Sequence, residues 1–172
     1  MWRIGTWGLA LAAGWIMSAG FGWTADAPLT STVLGKIHHS NLKEIELGQL
    51  AQKLGRSQEL RDLGRTVADE RAASDQKIVS LASVELIDLP SHTPPLRRDE
   101  TGGLPASGDF DSVIARVIFE DADEELAEET AARDETGDDR LRALIDERIP
   151  VLRAHRDTAK KIAEVGGPRA SL

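Results

Sequence analysis

The segment "NLKEIELGQLAQKLGRSQELRDLGRTVADERAASDQKIVSLA", residues 41–82, has the spacing of two amphipathic helices separated by a short turn. Apolar residues recur every three or four positions on both sides of Gly55, which is the spacing of one helix face. Gly55 is suited to end the first helix, and Ser57 is suited to begin the second, because its hydroxyl can accept from free backbone N–H groups. The segment therefore predicts a helical hairpin.

The rest of the chain repeats this arrangement once. The predicted helices cover about residues 30–54, 57–86, 110–136 and 139–165. Between the two hairpins, about residues 90–109 are rich in Pro, Gly and Ser, which is typical of an exposed crossover loop. Four helices of about 25 residues would each be roughly 37 Å long. The sequence predicts an all-α four-helix bundle that occupies residues 26–172 as a single domain.

The first 29 residues, "MWRIGTWGLALAAGWIMSAGFGWTADAPL", have the composition of a secretory signal peptide. Arg3 is followed by an apolar run and then by small residues, so residues 1–25 are predicted to be removed on export. The candidate last residues of this peptide are Ala25, Ala27 and Gly20. The alternative is an uncleaved membrane anchor, because the apolar run from 4 to 23 is nearly long enough to span a bilayer. Cleavage predicts a periplasmic or secreted protein without stable membrane insertion.

Composition excludes several functional classes. The net charge of −8, with no basic stripe, argues against nucleic-acid binding. Because the chain contains no Cys, it has no disulfide, no thiolate nucleophile and no thiolate metal ligand. It also lacks a Gly-x-Ser-x-Gly nucleophile motif and a glycine-rich phosphate loop. We therefore expect a protein that is not an enzyme and that carries no cofactor.

Several polar residues follow the predicted apolar stripes near the middle of the helices. The candidate metal ligands among them are Glu44, Glu70, Asp121, Glu124 and His155, and on the first helix Asn41 is the alternative to Glu44 for the core position. A layer of carboxylates and His inside a bundle is the arrangement of di-iron carboxylate proteins, but those sites use Glu-x-x-His, and here Leu152 precedes His155 by three residues. The favoured interpretation is an ion-paired layer that fixes helix register. The arginines expected to pair are Arg116, Arg148 and Arg153.

The predicted third helix contains the acidic run "IFEDADEELAEETAARDE", residues 118–135. Carboxylates predicted to face the core are Asp121, Glu124 and Glu128, whereas those predicted to face solvent are Glu120, Asp123, Glu125 and Glu129. An exposed acidic face could also bind a basic protein partner. The residues expected to contact such a partner are Glu125, Glu128 and Glu129.

The order of several short motifs resembles the domain of unknown function 4142 family, a group of exported, ferritin-like helical proteins. The motifs are Glu44-Ile45-Glu46-Leu47-Gly48 with Leu50-Ala51, Val67-x-Asp69, Leu81-Ala82, Leu89-Pro90, Gly108, Phe110-Asp111 and Ile149-Pro150-x-Leu152-x-x-His155. Relatives commonly carry Asp-His where this chain has Asp69-Glu70, and a second His at the position of Ala122. Only His155 of the three remains. If these His residues bind a metal in relatives, the resemblance implies that this chain has lost or altered that capacity.

The resemblance spans about residues 33–163 and implies a ferritin-like fold and export rather than an activity. Together with the composition, it predicts a non-enzymatic binding or structural protein of the cell envelope. The alternative is a metal- or iron-binding protein that uses the carboxylate and His positions in the middle of the bundle.

Overall fold

The structure, a computed structural model, describes residues 27–90 and 110–166. Its helices are α1 Ala27–Leu54, α2 Gln58–Val84, α3 Phe110–Glu135 and α4 Asp139–Gly166. Within these two ranges there is no strand, and the all-α four-helix fold is confirmed. The predicted signal peptide and nearly all of the predicted connector lie outside the described residues. None of the four helices is both long enough and apolar enough to cross a bilayer.

The turn between α1 and α2 follows the predicted capping. The N–H of Gly55 donates to the Ala51 carbonyl at 2.8 Å, and the Ser57 hydroxyl accepts from the N–H of Leu60 at 3.2 Å. α1 begins at Ala27, three residues earlier than predicted. Pro28 favours this start, because a proline in the first turn has no N–H that would need a partner.

Asp111, at the start of α3, binds this turn from the second hairpin. Its carboxylate accepts from the backbone N–H groups of Arg56 at 2.8 Å and Ser57 at 2.7 Å. Burial alone would raise the pKa of Asp111, but these hydrogen bonds outweigh burial and lower it. The side chain thereby fixes the position of α3 relative to the first hairpin.

The helices of the first hairpin cross at two glycines. A Cβ atom added to Gly48 would lie 2.6 Å from the carbonyl oxygen of Gly64, and one added to Gly64 would lie 2.5 Å from that of Gly48. Only residues without a side chain allow the two backbones to approach so closely. The glycines therefore set the distance between α1 and α2.

Polar contacts at the two ends of the bundle define the order of the helices. At one end, Thr30 donates to Asp138 at 3.4 Å, and Arg140 pairs with Glu85. The other end carries the contact of Asp111 with the α1–α2 turn. The chain that leaves α2 at the first end therefore enters α3 at the second. This connection is the crossover of a ferritin-like bundle, in which α2 and α3 run in the same direction.

The core consists of two apolar clusters separated along the bundle axis. The first contains Leu47, Ala51, Leu60, Leu63, Val67, Phe110, Ile114, Ala115, Ile118 and Ala159. The second contains Val33, Leu34, Ile37, Ile78, Ala82, Ala132, Leu141, Leu144 and Ile145. On each helix, polar or charged residues lie between the two clusters, and several of them are buried. Every helix thus contributes to a polar layer near the middle of the bundle.

Candidate functional site

The polar layer combines buried charges from all four helices. We define it as Asn41, Glu44, Glu70, Arg71, Ser74, Asp121, Glu125, Glu129, Arg148 and His155. Burying a charge costs several kcal/mol unless the charge is paired and hydrogen-bonded. The internal pairing of the layer therefore decides what it can bind.

Arg148 of α4 lies at the centre of the layer and uses all of its donors. Its Nε and Nη2 atoms donate to Glu129 at 2.7–3.1 Å, and Nη2 also donates to Glu125 at 3.2 Å. Its Nη1 donates to Asn41 at 3.0 Å and to Ser74. Burial raises the pKa of Glu129, and the neighbouring Arg148 opposes that rise. One guanidinium thus joins all four helices.

Arg71 of α2 provides the second buried positive charge. Its side chain is 2% exposed, and both terminal nitrogens donate to Glu125, at 2.7 and 3.1 Å. This two-bond geometry is the one in which arginine binds carboxylates most strongly. The Nε–H of Arg71 has no acceptor among the described residues.

Glu44 of α1 is 1% exposed, and neither of its carboxyl oxygens has a hydrogen-bond partner in the described structure. Burial raises the pKa of Glu44 well above its ordinary value; Arg71 opposes this rise, whereas Glu125 and Asp121 add to it. A protonated Glu44 can donate to Asp121, whose Oδ2 atom is likewise without a partner. The other oxygen of Asp121 accepts from Lys43 at 2.9 Å. Burial and the neighbouring carboxylates therefore favour the protonated form of Glu44.

Glu70 and His155 form a second pair, between α2 and α4. The Nε2 atom of His155 lies 2.7 Å from a carboxyl oxygen of Glu70, and its buried Nδ1 has no partner among the residues described. Burial lowers the pKa of His155, and Arg71 lowers it further, while the bond to Glu70 acts in the opposite direction. The imidazole is therefore neutral at pH 7.

The structure divides the five candidate ligands into two pairs and one separate residue. Glu44 lies beside Asp121, and Glu70 lies beside His155. The side chain of Glu70 is 48% exposed, so it lies at the edge of the layer rather than in the core. Glu124 is exposed and belongs to neither pair, so its predicted core position is wrong.

The sequence prediction missed the residues that dominate the layer. Arg71 takes the core position predicted for Glu70, and Glu125 and Glu129 take those predicted for Glu124 and Glu128. Spacing contains a signal for each of them. Arg71 lies four residues after Val67 and seven before Ile78, and Glu125 and Glu129 fall between buried residues of α3. Of the arginines expected to pair with the layer, Arg148 does so, whereas Arg116 and Arg153 are exposed.

The same register changes the predicted partner surface on α3. Of the residues expected to contact a partner, Glu129 is buried and Glu125 is only 13% exposed, and both are paired with Arg148. Glu128 is the only residue of that predicted set that is exposed, and it pairs with Lys36 at 3.0 Å. A protein partner of α3 therefore stays a prediction, with Glu128 as its exposed candidate contact.

Comparison with known proteins gives the family. The sequence profile described as "Domain of unknown function (DUF4142)" matches residues 23–162. The chain belongs to this family. The match includes both pairs of the polar layer, and it confirms the resemblance predicted from the motifs. A search of curated proteins finds no match.

Two solved structures share the family fold of this chain. They are described as "CopM in the Cu(I)-bound form", with a TM-score of 0.67 and 13% identity, and "CopM in the Cu(II)-bound form", with a TM-score of 0.64 and 11% identity. Each match covers 79% of this chain and 96% of CopM. At this level of identity the likeness establishes the fold alone.

The described part of this family member shows no preassembled metal site. Within residues 27–90 and 110–166, no group of three His, Cys, Asp or Glu side chains is arranged to hold a metal ion. Sulfur ligands, which Cu(I) prefers, are also scarce: the sequence has no Cys, and its Met residues are Met1 and Met17. Arg71 instead supplies a positive charge beside Glu44 and His155.

The raised pKa of Glu44 makes a prediction about stability and pH. Because the folded-state pKa lies above that of the unfolded chain, the folded protein binds more protons, and its stability falls as pH rises above about 4.5. A Gln at this position remains neutral and can still donate to Asp121. We expect Glu44→Gln to become increasingly more stable than the wild type between pH 5 and pH 8, as measured by urea denaturation.

The difference in stability between the wild type and Glu44→Gln at each pH isolates the contribution of Glu44 from that of other titrating groups. His155, whose pKa is lowered, acts in the opposite direction and destabilises the fold as pH falls, but it does so in both proteins. A constant difference between wild type and Glu44→Gln across this pH range would show that Glu44 does not titrate there.

Proposed function

We propose that this protein is an extracytoplasmic, non-enzymatic binding or structural protein of the cell envelope, whose buried arginines neutralise Glu125 and Glu129 of the polar layer. The observation that carries the proposal is the pairing of Arg71 and Arg148 with Glu125 and Glu129. These guanidinium groups supply, inside the bundle, the positive charge that a metal ion would supply in a carboxylate-rich layer.

Two further observations support this function. His155, the remaining basic group of the layer, is bonded to Glu70, so the basic groups of the layer are already paired inside the bundle. The signal-like composition of the N-terminal segment supports export. A protein partner that binds the exposed acidic residues of α3 stays a prediction.

A metal-binding function is the second candidate. Buried oxygens of Glu44 and Asp121 and the Nδ1 atom of His155 have no partner in the described part of the chain, and such atoms are what a cation would satisfy. The likeness to CopM, solved with bound copper, supports the same candidate. A metal at these atoms would have to compete with a proton for Glu44, whose pKa is raised, and overcome the positive charge of Arg71.

Metal analysis distinguishes the two functions. We expect the purified protein to retain no stoichiometric iron, manganese, zinc or copper, and its melting temperature to stay constant when each ion is added. The metal-binding function instead requires a rise of several degrees at saturating metal, because a ligand that binds only the folded state stabilises it. That rise should be smaller in Glu44→Gln. A stoichiometric metal, or such a rise, would overturn the proposal.

A further inference from the structure

A groove of about 220 Å³ lies between α2 and α4, on one side of the polar layer. Its accessible lining is mostly apolar, and the buried residues at its base include Leu144 and Leu152. Val151 is half-buried and Ala73 is exposed, so they line its more open part. An apolar groove with a few polar groups is the usual form of a small-molecule site.

Two polar residues that line this groove have unused donors. Arg71 uses two of the five N–H donors of a guanidinium in its bonds to Glu125, and its Nε–H has no acceptor in the described chain. Ser74 accepts from Arg148, which leaves the hydrogen of its own hydroxyl group available. Arg71 is almost completely buried, so its unpaired donor is costly until an acceptor reaches it.

The negative groups around the groove already have partners. Glu70 is bonded to His155, and Glu147 forms an ion pair with Lys77 at the exposed edge. The remaining acceptor capacity of these two carboxylates lies at the exposed edge, whereas the buried Nε–H of Arg71, farther inside, is a donor without a partner. Such a site favours a ligand whose head group is an anionic acceptor, and it disfavours a cationic head group.

The volume limits the size of the ligand. Pockets for drug-sized molecules begin at about 300 Å³, so this groove admits only a short chain. We propose that the α2–α4 groove binds a short aliphatic carboxylate of about six carbons, whose head accepts from Arg71 and Ser74 and whose chain packs against Leu144 and Val151. This inference rests on the proposed function, because the paired arginines of the layer supply the donor.

Calorimetric titration of the full chain with sodium hexanoate tests the site directly. We expect saturable one-to-one binding with a Kd of about 0.1–1 mM, as is reasonable for a ligand of this size. Acetate has the head group without the chain, and hexylammonium has the chain with the opposite charge; both should bind at least about tenfold more weakly. Absence of saturable hexanoate binding, or equal binding of hexylammonium, would overturn the inference.

A matched pair of variants locates the binding. Ala73→Trp places a large side chain in the α2–α4 groove, whereas Ala131→Trp does so in the groove between α1 and α3. Both alanines are exposed, so both variants should fold, which thermal melting of the helical signal would verify. We expect Ala73→Trp to abolish hexanoate binding and Ala131→Trp to leave it unchanged. Undiminished binding in Ala73→Trp would place the ligand elsewhere.

The removal of one donor tests the polar part of the site. Ser74→Ala should weaken hexanoate binding by about tenfold, because it deletes a hydrogen bond to a charged group. The affinity for hexylammonium should not change, and an equal loss for both ligands would contradict the assignment. If the purified protein holds no metal but does not bind hexanoate, the further inference is wrong and the proposed function stands. If the purified protein retains a stoichiometric metal, the proposed function is wrong, whatever the hexanoate titration shows.

Discussion

Replacing Arg148 by Met should lower the free energy of unfolding by about 3–5 kcal/mol, because the change leaves the buried carboxylate of Glu129 without a counter-charge. Glu125 keeps its bonds to Arg71, so Glu129 suffers most of the loss. Asn41 also loses its donor. Urea denaturation at pH 7, with the slope of the transition as a check on two-state behaviour, would measure the effect.

Two control variants distinguish the loss of the buried Arg148 charge from the loss of a positive side chain elsewhere in the protein. Lys77→Met removes one partner of the exposed ion pair with Glu147 and should change stability by at most about 1 kcal/mol. In the double variant Arg148→Met, Glu129→Met, both charges are replaced by apolar groups, so most of the lost stability should return. If the single Arg148 variant were as stable as Lys77→Met, the internal neutralisation of the layer would be wrong.

Gly64→Ala should destabilise the protein by at least about 2 kcal/mol, because the added Cβ has no room between α1 and α2. It would lie 2.5 Å from the carbonyl oxygen of Gly48 and 2.6 Å from the backbone nitrogen of Gln52. Backbone atoms cannot rotate away as a side chain can, so the two helices would have to separate. Thermal and urea denaturation would report the loss.

Gly35 of α1 provides the matched control for this substitution. A Cβ added there meets nothing within 4 Å, so Gly35→Ala should stabilise the protein by about 0.5–1 kcal/mol through helix propensity alone. The two alanine substitutions should therefore change the stability of the protein in opposite directions. Destabilisation of similar size at both positions would mean that the close crossing of the helices does not explain the effect at Gly64.

Much of this architecture could be predicted from local patterns. The turn signals at Gly55 and Ser57 and the apolar spacing on each side of them were sufficient to predict the first hairpin. The core position of His155 also follows from spacing, because apolar residues flank it on the same helix face. On α1 the spacing leaves Asn41 and Glu44 as alternatives, and the structure buries both. Around the α1–α2 turn and around His155, the apolar residues are close enough together to define the helix face.

The predicted core face was wrong in the polar segments of α2 and α3. An α-helix has 3.6 residues per turn, so a face extended in steps of seven drifts by about 20° per heptad. Without a large apolar residue nearby to correct this drift, Glu70 was chosen instead of Arg71, and Glu124 instead of Glu125. The unpaired buried atoms could not be predicted at all, because they depend on distances between helices that are remote in sequence.

The polar contacts between the hairpins have a consequence for the order of folding. Each hairpin pairs helices that are neighbours in sequence, so its contacts close short loops and should form early. The joining of the two hairpins then brings Arg71 to Glu125 and Asn41 to Arg148, across more than fifty residues of chain. We expect this late step to reject misaligned hairpin pairs. A misaligned pair would bury charges without partners, so the two hairpins would separate again before their apolar faces packed together.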